Sequence, residues 1–109
     1  MEDEELKLRN DSQTGIITHQ PIGPVLVIMP WNFPFWLPMK SVLPPMILGN
    51  SIMMKHSPST PLCALALDEA FRESGFGKGE YQNVFANEDQ CAKIIADRRV
   101  RAVKFTGST

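Results

Sequence analysis

Short apolar runs rich in branched side chains alternate with longer amphipathic segments along most of the chain. The run at residues 25–29 is unbroken and lies between Gly23-Pro24 and Pro30, as expected for a strand that is buried on both faces. Four such runs are predicted to be strands: residues 25–29, 51–55, 82–86 and 101–106. The pattern predicts an α/β fold, a partial Rossmann-like parallel sheet of about four strands alternating with three helices.

The first amphipathic segment, residues 35–48, is predicted to be a helix, but Pro44 and Pro45 lie inside it. Proline has no backbone N–H and its ring clashes with the preceding turn, so this pair is predicted to kink or break the helix. Gly49 and Asn50 follow as a helix stop.

The other two predicted helices begin at polar capping residues. Ser59 or Thr60 is expected to cap the second helix, which ends at the glycines that start with Gly75. Asn87 or Asp89 is expected to cap the third.

The composition is that of one soluble globular domain, with 109 residues of which 43% are hydrophobic and 21% charged. Residues 1–14 are polar and charged without an apolar period, and are predicted to be a flexible lead-in. The domain is therefore expected to occupy residues 15–109.

Charge and hydropathy argue against two classes of partner. A formal net charge of −1 argues against nucleic acid or an anionic membrane surface as a partner, since either would favour a basic patch. The longest apolar stretch, residues 42–54, contains prolines and a glycine and is shorter than the ~20 residues that span a bilayer. We expect neither a nucleic-acid nor a membrane partner.

The acidic segment at residues 1–10 has no apolar core and does not resemble a secretory signal. A reducing intracellular setting is expected, cytoplasmic or in an organelle matrix. Cys63 and Cys91 lack metal-ligand spacing, and His19 and His56 add no cluster, so no metal site is predicted.

Four short motifs succeed one another along nearly the whole chain. They are Pro-Ile-Gly at residues 21–23 with Pro-Trp-Asn-Phe-Pro at 30–34, Gly49-Asn50 with Lys55, Gly75-Phe76 with Gly79, and Phe-Thr-Gly-Ser at 105–108. In order and approximate spacing they resemble the NAD(P)-dependent aldehyde dehydrogenases. Within that family, residues 29–35 and 62–67 are most similar to the succinate-semialdehyde dehydrogenase type.

The resemblance implies that residues 15–109 are a partial dinucleotide-binding domain, a middle piece of an enzyme that oxidises aldehydes to carboxylic acids with NAD or NADP. Asn32 then inherits the role of an amide donor that stabilises the oxyanion formed when a cysteine attacks an aldehyde. Without the family, Asn32 is better explained as an asparagine that satisfies turn backbone between two prolines.

Lys55 follows a buried strand at the sheet edge where nucleotides bind in open α/β folds. The resemblance implies that it holds the adenosine ribose hydroxyls; a lysine that only reaches solvent is the alternative. Near it, Ser57 and Pro58 occupy the region that selects the cofactor. A carboxylate there would favour NAD, but residues 56–59 contain none, and Pro58 donates no hydrogen bond, so the preference stays open.

The remaining cofactor-site residues come from three motifs. Gly75 and Gly79 are expected to let the backbone pass close to the adenine, although both also suit a helix end. Ser108 resembles the residue that meets the pyrophosphate, with Thr106 and Gly107 beside it, because N–H groups in a strand-to-helix turn hold phosphate. The site is completed by Met29, Pro30, Trp31 and Phe105.

Covalent aldehyde oxidation also needs a nucleophilic thiolate and a general base. The family carries both beyond its Thr-Gly-Ser motif, and neither Cys63 nor Cys91 has the nucleophile's context. The chain alone is therefore predicted to be inactive, with weak or vestigial nucleotide binding. The alternative is a non-catalytic remnant acting as a nucleotide-binding or structural subunit. Exposed sheet edges favour a homo-oligomer or larger assembly in either case.

Overall fold

The computed structural model describes residues 3–6 and 13–108, which form two sheets and three helices. In chain order the elements are β1 Glu4–Leu6, β2 Gly15–Ile17, β3 Val25–Ile28, α1 Trp36–Ile47, β4 Ile52–Lys55, α2 Pro61–Glu73, β5 Tyr81–Asn83, α3 Glu88–Ala96 and β6 Ala102–Phe105. No helix among these residues is long and apolar enough to cross a membrane.

The main sheet has four parallel strands in the order β5-β4-β3-β6. Val25 at the start of β3 pairs with Ile52 on one side and with Ala102 on the other. Four parallel strands with three helices confirm the α/β fold predicted from the hydrophobic pattern.

The chain reverses direction across the sheet at β3. From β3 it moves outward through α1, β4 and α2 to β5, then returns through α3 to β6 on the other side of β3. Because crossovers between parallel strands are right-handed, α1 and α2 belong on one face and α3 on the opposite face. Such a reversal leaves a crevice outside the carboxyl ends of the two adjacent strands at which the order reverses, here β3 and β6.

The hydrophobic core lies between the sheet and the α1–α2 layer. Alternate side chains of the strands meet inward-facing residues of both helices there: Val25, Val27, Met29, Ile52, Met54, Tyr81, Val42, Leu67 and Phe71. Burying one such aliphatic or aromatic side chain contributes about 1.5–3 kcal/mol. The rings of Phe71 and Tyr81 stack with their centroids 4.1 Å apart, which ties α2 to the edge strand.

The predicted break in α1 is wrong, because the helix continues through Pro44 and Pro45 to Ile47. A proline φ near −65° suits a helix, so the pair forgoes the two N–H bonds that residues 44 and 45 would donate to the preceding turn but keeps the helical path of the last turn. Gly49, with φ of 87°, then ends the helix. Its N–H bonds the Met46 carbonyl and the N–H of Asn50 bonds the Pro45 carbonyl, which is a Schellman termination.

Asn50 joins the end of α1 to the segment that enters β3. Its side-chain oxygen accepts hydrogen bonds from the N–H groups of Ile22 at 2.7 Å and Gly23 at 3.0 Å. Its amide donates to the Pro45 carbonyl at 2.9 Å. The residue is only 7% exposed, so these three bonds are largely shielded from water. A residue predicted as a helix stop thus also fixes where β3 begins.

The capping predictions are confirmed in one helix and corrected in the other. At α3, Asn87 and Gln90 form a reciprocal capping box. At α2, Thr60 occupies the cap position but its side chain makes no capping bond. The Thr60 hydroxyl bonds the carbonyl of Ser57 instead, at 3.4 Å.

A strand also forms inside the segment predicted as a flexible lead-in. Glu4–Leu6 pairs antiparallel with Gly15–Ile17, whereas residues 1–2 and 7–12 lie outside the described part of the chain. This pairing uses main-chain atoms and leaves the side chains of β1 exposed, so no apolar alternation marks it in the sequence.

We expect Asn50→Ala to lower the free energy of unfolding by about 2–4 kcal/mol, because two donors and one acceptor lose their shielded partner. Urea denaturation of the chain measures this. The control is Gln82→Ala, which removes an exposed amide and should change stability by less than about 0.5 kcal/mol. Equal losses in the two variants would contradict the role of Asn50.

Candidate functional site

The carboxyl ends of β3, β4 and β6 meet at one edge of the sheet. Ile28 is in register with Lys55 on one side and with Phe105 on the other. Just beyond, the N–H of Met29 bonds the Lys55 carbonyl at 3.1 Å, and the N–H of Thr106 bonds the Ile28 carbonyl at 3.0 Å. These bonds hold three chain segments side by side as they leave the sheet.

A cavity of about 490 Å³ opens at this edge, in the crevice where the chain reverses direction. Its lining comes from the ends of the three strands and the loops that follow them: Ile28, Met29, Pro30, Trp31, Asn32, Lys55, Ser57, Pro58, Phe105, Thr106, Gly107 and Ser108. We call it the carboxyl-edge cavity. It contains every site residue inferred from the sequence except Gly75 and Gly79, and it adds Ile28. The register of Ile28 with Lys55 could have identified that residue.

Gly75 and Gly79 lie at the other edge of the sheet. Gly79 comes just before β5, whose first residue, Tyr81, pairs with Ile52 at the start of β4. Gly79 borders a separate cavity of about 470 Å³ between α2 and β5. With φ values of 90° and 88°, the two glycines shape the turn from α2 into β5. Their position does not support contact with an adenine at the carboxyl edge.

Lys55 brings positive charge to the carboxyl-edge cavity without a carboxylate beside it. The side chain is half-buried. In the described part of the chain the ion pairs are Arg72 with Glu69 and Arg99 with Asp97, both remote from the cavity lining. An ammonium group in a crevice lined by no aspartate or glutamate can attract an anionic ligand.

Asn32 lies in the loop between β3 and α1, exposed toward solvent and the cavity. The next residue, Phe33, has φ of 53°, a left-handed conformation that is uncommon outside glycine. Across residues 3–6 and 13–108, the Asn32 amide has no protein hydrogen-bond partner. The explanation of Asn32 as an amide that satisfies turn backbone therefore finds no support, and the amide is free to donate to a ligand.

The sequence of residues 1–109 matches the model of the aldehyde dehydrogenase family. The chain belongs to this family. The resemblance inferred from the four motifs is thereby confirmed.

Similar family members include succinate-semialdehyde dehydrogenases. Over 98 residues the chain is 38% identical to a probable NADP(+) succinate-semialdehyde dehydrogenase of Synechocystis, covering 90% of this chain and 22% of that protein. It is 37% identical over 98 residues to the NAD(P)+ succinate semialdehyde dehydrogenase Sad of Escherichia coli, covering 90% and 21%.

Among solved structures, the chain is similar to succinic semialdehyde dehydrogenase from Streptococcus pyogenes in complex with NADP+. The TM-score is 0.84 at 34% identity, covering 92% of this chain and 22% of that one. The chain thus spans about a fifth of the length of the aldehyde dehydrogenases that it matches.

Neither thiol of this family member lies at the carboxyl-edge cavity. Cys63 is half-buried in α2 and Cys91 is buried in α3. The cavity lining contains no cysteine, glutamate, aspartate or histidine. It therefore offers hydrogen-bond donors and a cation, but no thiol nucleophile and no carboxylate or imidazole base.

His56 is a buried polar residue that the sequence reasoning left without a role. Its side chain is 5% exposed, and neither ring nitrogen has a hydrogen-bond partner among the described residues. Burial lowers the pKa of His56 below its ordinary value of 6.5, because desolvation penalises the charged imidazolium. The ring is thus neutral at pH 7.

The lowered pKa of His56 predicts that stability decreases in acid. The unfolded state binds the proton more tightly, so the free energy of unfolding should fall as the pH drops below about 6.5 and stay level just above it. Urea midpoints measured from pH 8 to pH 5 test this. His56→Val should flatten the profile, whereas His19→Gln, which replaces the exposed histidine, should not. If the urea midpoint of His56→Val decreases in acid as steeply as that of the wild type, other groups cause the pH dependence.

Proposed function

We propose that this chain binds NAD or NADP in the carboxyl-edge cavity, as the nucleotide-binding portion of an NAD(P)-dependent aldehyde dehydrogenase. One observation carries the proposal. The cavity lies where the chain reverses direction across a parallel sheet, the place where such folds bind dinucleotides, and three of the family's motifs line it.

The turn after β6 fits a phosphate-bearing ligand. The N–H of Thr106 is bonded to Ile28, so the next backbone donors available to a ligand are those of Gly107 and Ser108. A Cβ atom at residue 107 would come within 2.9 Å of the Phe105 ring. Glycine at this position therefore lets the backbone of the turn lie close to that ring. These two N–H groups form one donor set with the Ser108 hydroxyl and the Lys55 ammonium. The set is suited to a pyrophosphate and a ribose.

The charge of the cavity bears on which dinucleotide is accepted. A carboxylate near the ribose would repel the 2'-phosphate of NADP, but the lining contains none, and Lys55 supplies a positive charge. Relatives of this chain carry NADP(+) and NAD(P)+ in their names. We infer that the cavity accepts NADP as well as NAD.

Asn32 is the residue that would contact the reacting aldehyde. Its free amide could donate to the oxygen that becomes negative when a thiolate adds to the carbonyl, which lowers the barrier by about 3 kcal/mol. The nicotinamide, when bound, accepts the hydride. A succinate-semialdehyde-like substrate is the first to test, given the names of the relatives.

A second candidate function is nucleotide binding or a structural role without chemistry. It is favoured by the positions of Cys63 and Cys91, which are half-buried and buried in helices and absent from the cavity lining. The nucleotide-binding form of this candidate shares its ligand with the first and differs from it in turnover, whereas the structural form binds no nucleotide.

We expect Lys55→Met to weaken binding of NADP by about tenfold or more, because a hydrogen bond from a charged group contributes about 1.5–3 kcal/mol. An NMR titration of the chain with millimolar NADP gives both the affinity and the residues whose amide signals move. The control is Lys78→Met, at the opposite edge of the sheet, which should bind as the wild type does. Shifts centred on the α2–β5 cavity, or none at all, would refute the proposed site.

The purified 109-residue chain should form no NADH or NADPH from succinate semialdehyde, because the cavity lining contains no thiol nucleophile and no carboxylate or imidazole base. Absorbance at the reduced-nicotinamide band is the readout. Turnover that disappears in Cys63→Ala or Cys91→Ala would show that one of these thiols reaches the substrate.

A further inference from the structure

His56 sits between two residues of the carboxyl-edge cavity and faces away from it. From Ile52 to Ser57 the side chains alternate between buried and half-buried, so Ile52, Met54 and His56 lie under the helices. Lys55 and Ser57 belong to the cavity lining. His56 is covalently linked to both of these cavity residues. Its buried ring therefore anchors the segment that carries the positive charge of the cavity.

The layer around His56 holds few ionisable groups. From α2, the half-buried Asp68 faces this layer, but its carboxylate accepts a hydrogen bond from the N–H of Asn83 at 2.9 Å. From β5, the buried Tyr81 faces it, and its pKa is raised by burial and by Asp68, so it stays neutral. The buried residues of α1, namely Pro38, Ser41 and Val42, carry no charge, and neither do the core residues of β3.

We propose that His56 is a protonation switch for nucleotide binding: its neutral ring holds the end of β4 in place, and protonation of the ring releases Lys55 and Ser57 from the binding arrangement. This inference rests on the proposed function, since it concerns the ligand of the same cavity.

The physical basis is the mismatch between a charged imidazolium and its surroundings. A protonated ring has two N–H donors, and neither nitrogen has an acceptor among the described residues. An unpaired buried charge costs more than moving the ring toward water. Because His56 immediately follows β4, such a movement passes directly to Lys55 and Ser57. A ligand that needs those two residues binds the neutral form better and so opposes protonation.

The sign and size of the effect follow from this linkage. Affinity should be constant above about pH 7 and decrease in acid. A histidine that is released to solvent has a pKa of about 6.5. Proton binding to it at pH 5.5 can therefore lower the affinity for the nucleotide by about tenfold at most. We expect the affinity for NAD to be about threefold to tenfold lower at pH 5.5 than at pH 8.

The experiment measures NAD affinity of the 109-residue chain by NMR titration between pH 5.5 and pH 8. NAD is the probe because its pyrophosphate bridge stays ionised throughout, whereas a phosphomonoester such as the 2'-phosphate of NADP titrates near pH 6. His56→Val should bind NAD at pH 8 and lose the pH dependence. His19→Gln should keep the dependence, because that histidine is exposed. If His56→Val does not fold, His56→Gln, which keeps a neutral polar side chain, takes its place.

Titration without ligand separates the switch from the binding site. The amide signals of Lys55 and Ser57 should shift with the same midpoint as the His56 ring, and this midpoint should lie below 6.5. Intact binding at pH 8 with the same pH profile in wild type and His56 variants would overturn the switch alone. Absence of NAD binding at pH 8 would count against the proposed function. If the amide signals of Lys55 and Ser57 do not shift as the His56 ring titrates, the proposed coupling is wrong whether or not NAD binds.

Discussion

The position of the carboxyl-edge cavity depends on the reversal of chain direction at β3. Strand register places Ile28, Lys55 and Phe105 side by side, and hydrogen bonds from Met29 and Thr106 continue that alignment past the strand ends. Residues far apart in sequence are brought together by topology before any specific side-chain contact is made.

Much of the fold could be predicted because its signals are local. Short apolar runs marked β3, β4 and β6, and Asn87 marked the start of α3, whereas β5 lies at Tyr81–Asn83 and only overlaps the predicted residues 82–86. Two other features were not anticipated because the interactions that decide them are not local. Pro44 and Pro45 are tolerated because they fall at the end of a helix that packs on β3 and β4 and closes with Gly49. The strand Glu4–Leu6 forms through main-chain pairing, which leaves no trace in side-chain polarity.

The candidate site shows the same division. Motifs placed at strand ends, such as those containing Asn32, Lys55 and Ser108, were assigned to one site and do line one cavity. Gly75 and Gly79 were assigned with them because a glycine motif alone does not tell which end of a strand it occupies. His56 was left without a role because its burial, and the lack of partners for its ring, arise only in the folded structure.

The uncompensated charge of Lys55 also has a kinetic consequence. A single cation in a concave, carboxylate-free crevice concentrates the local field, while the protein as a whole is slightly negative. Charges are largely screened beyond the Debye length, about 8 Å at physiological ionic strength, so an anionic ligand would respond to Lys55 only at close approach. The encounter would thus be guided by the shape and charge of the crevice mouth rather than by the surface at large, and added salt would slow it.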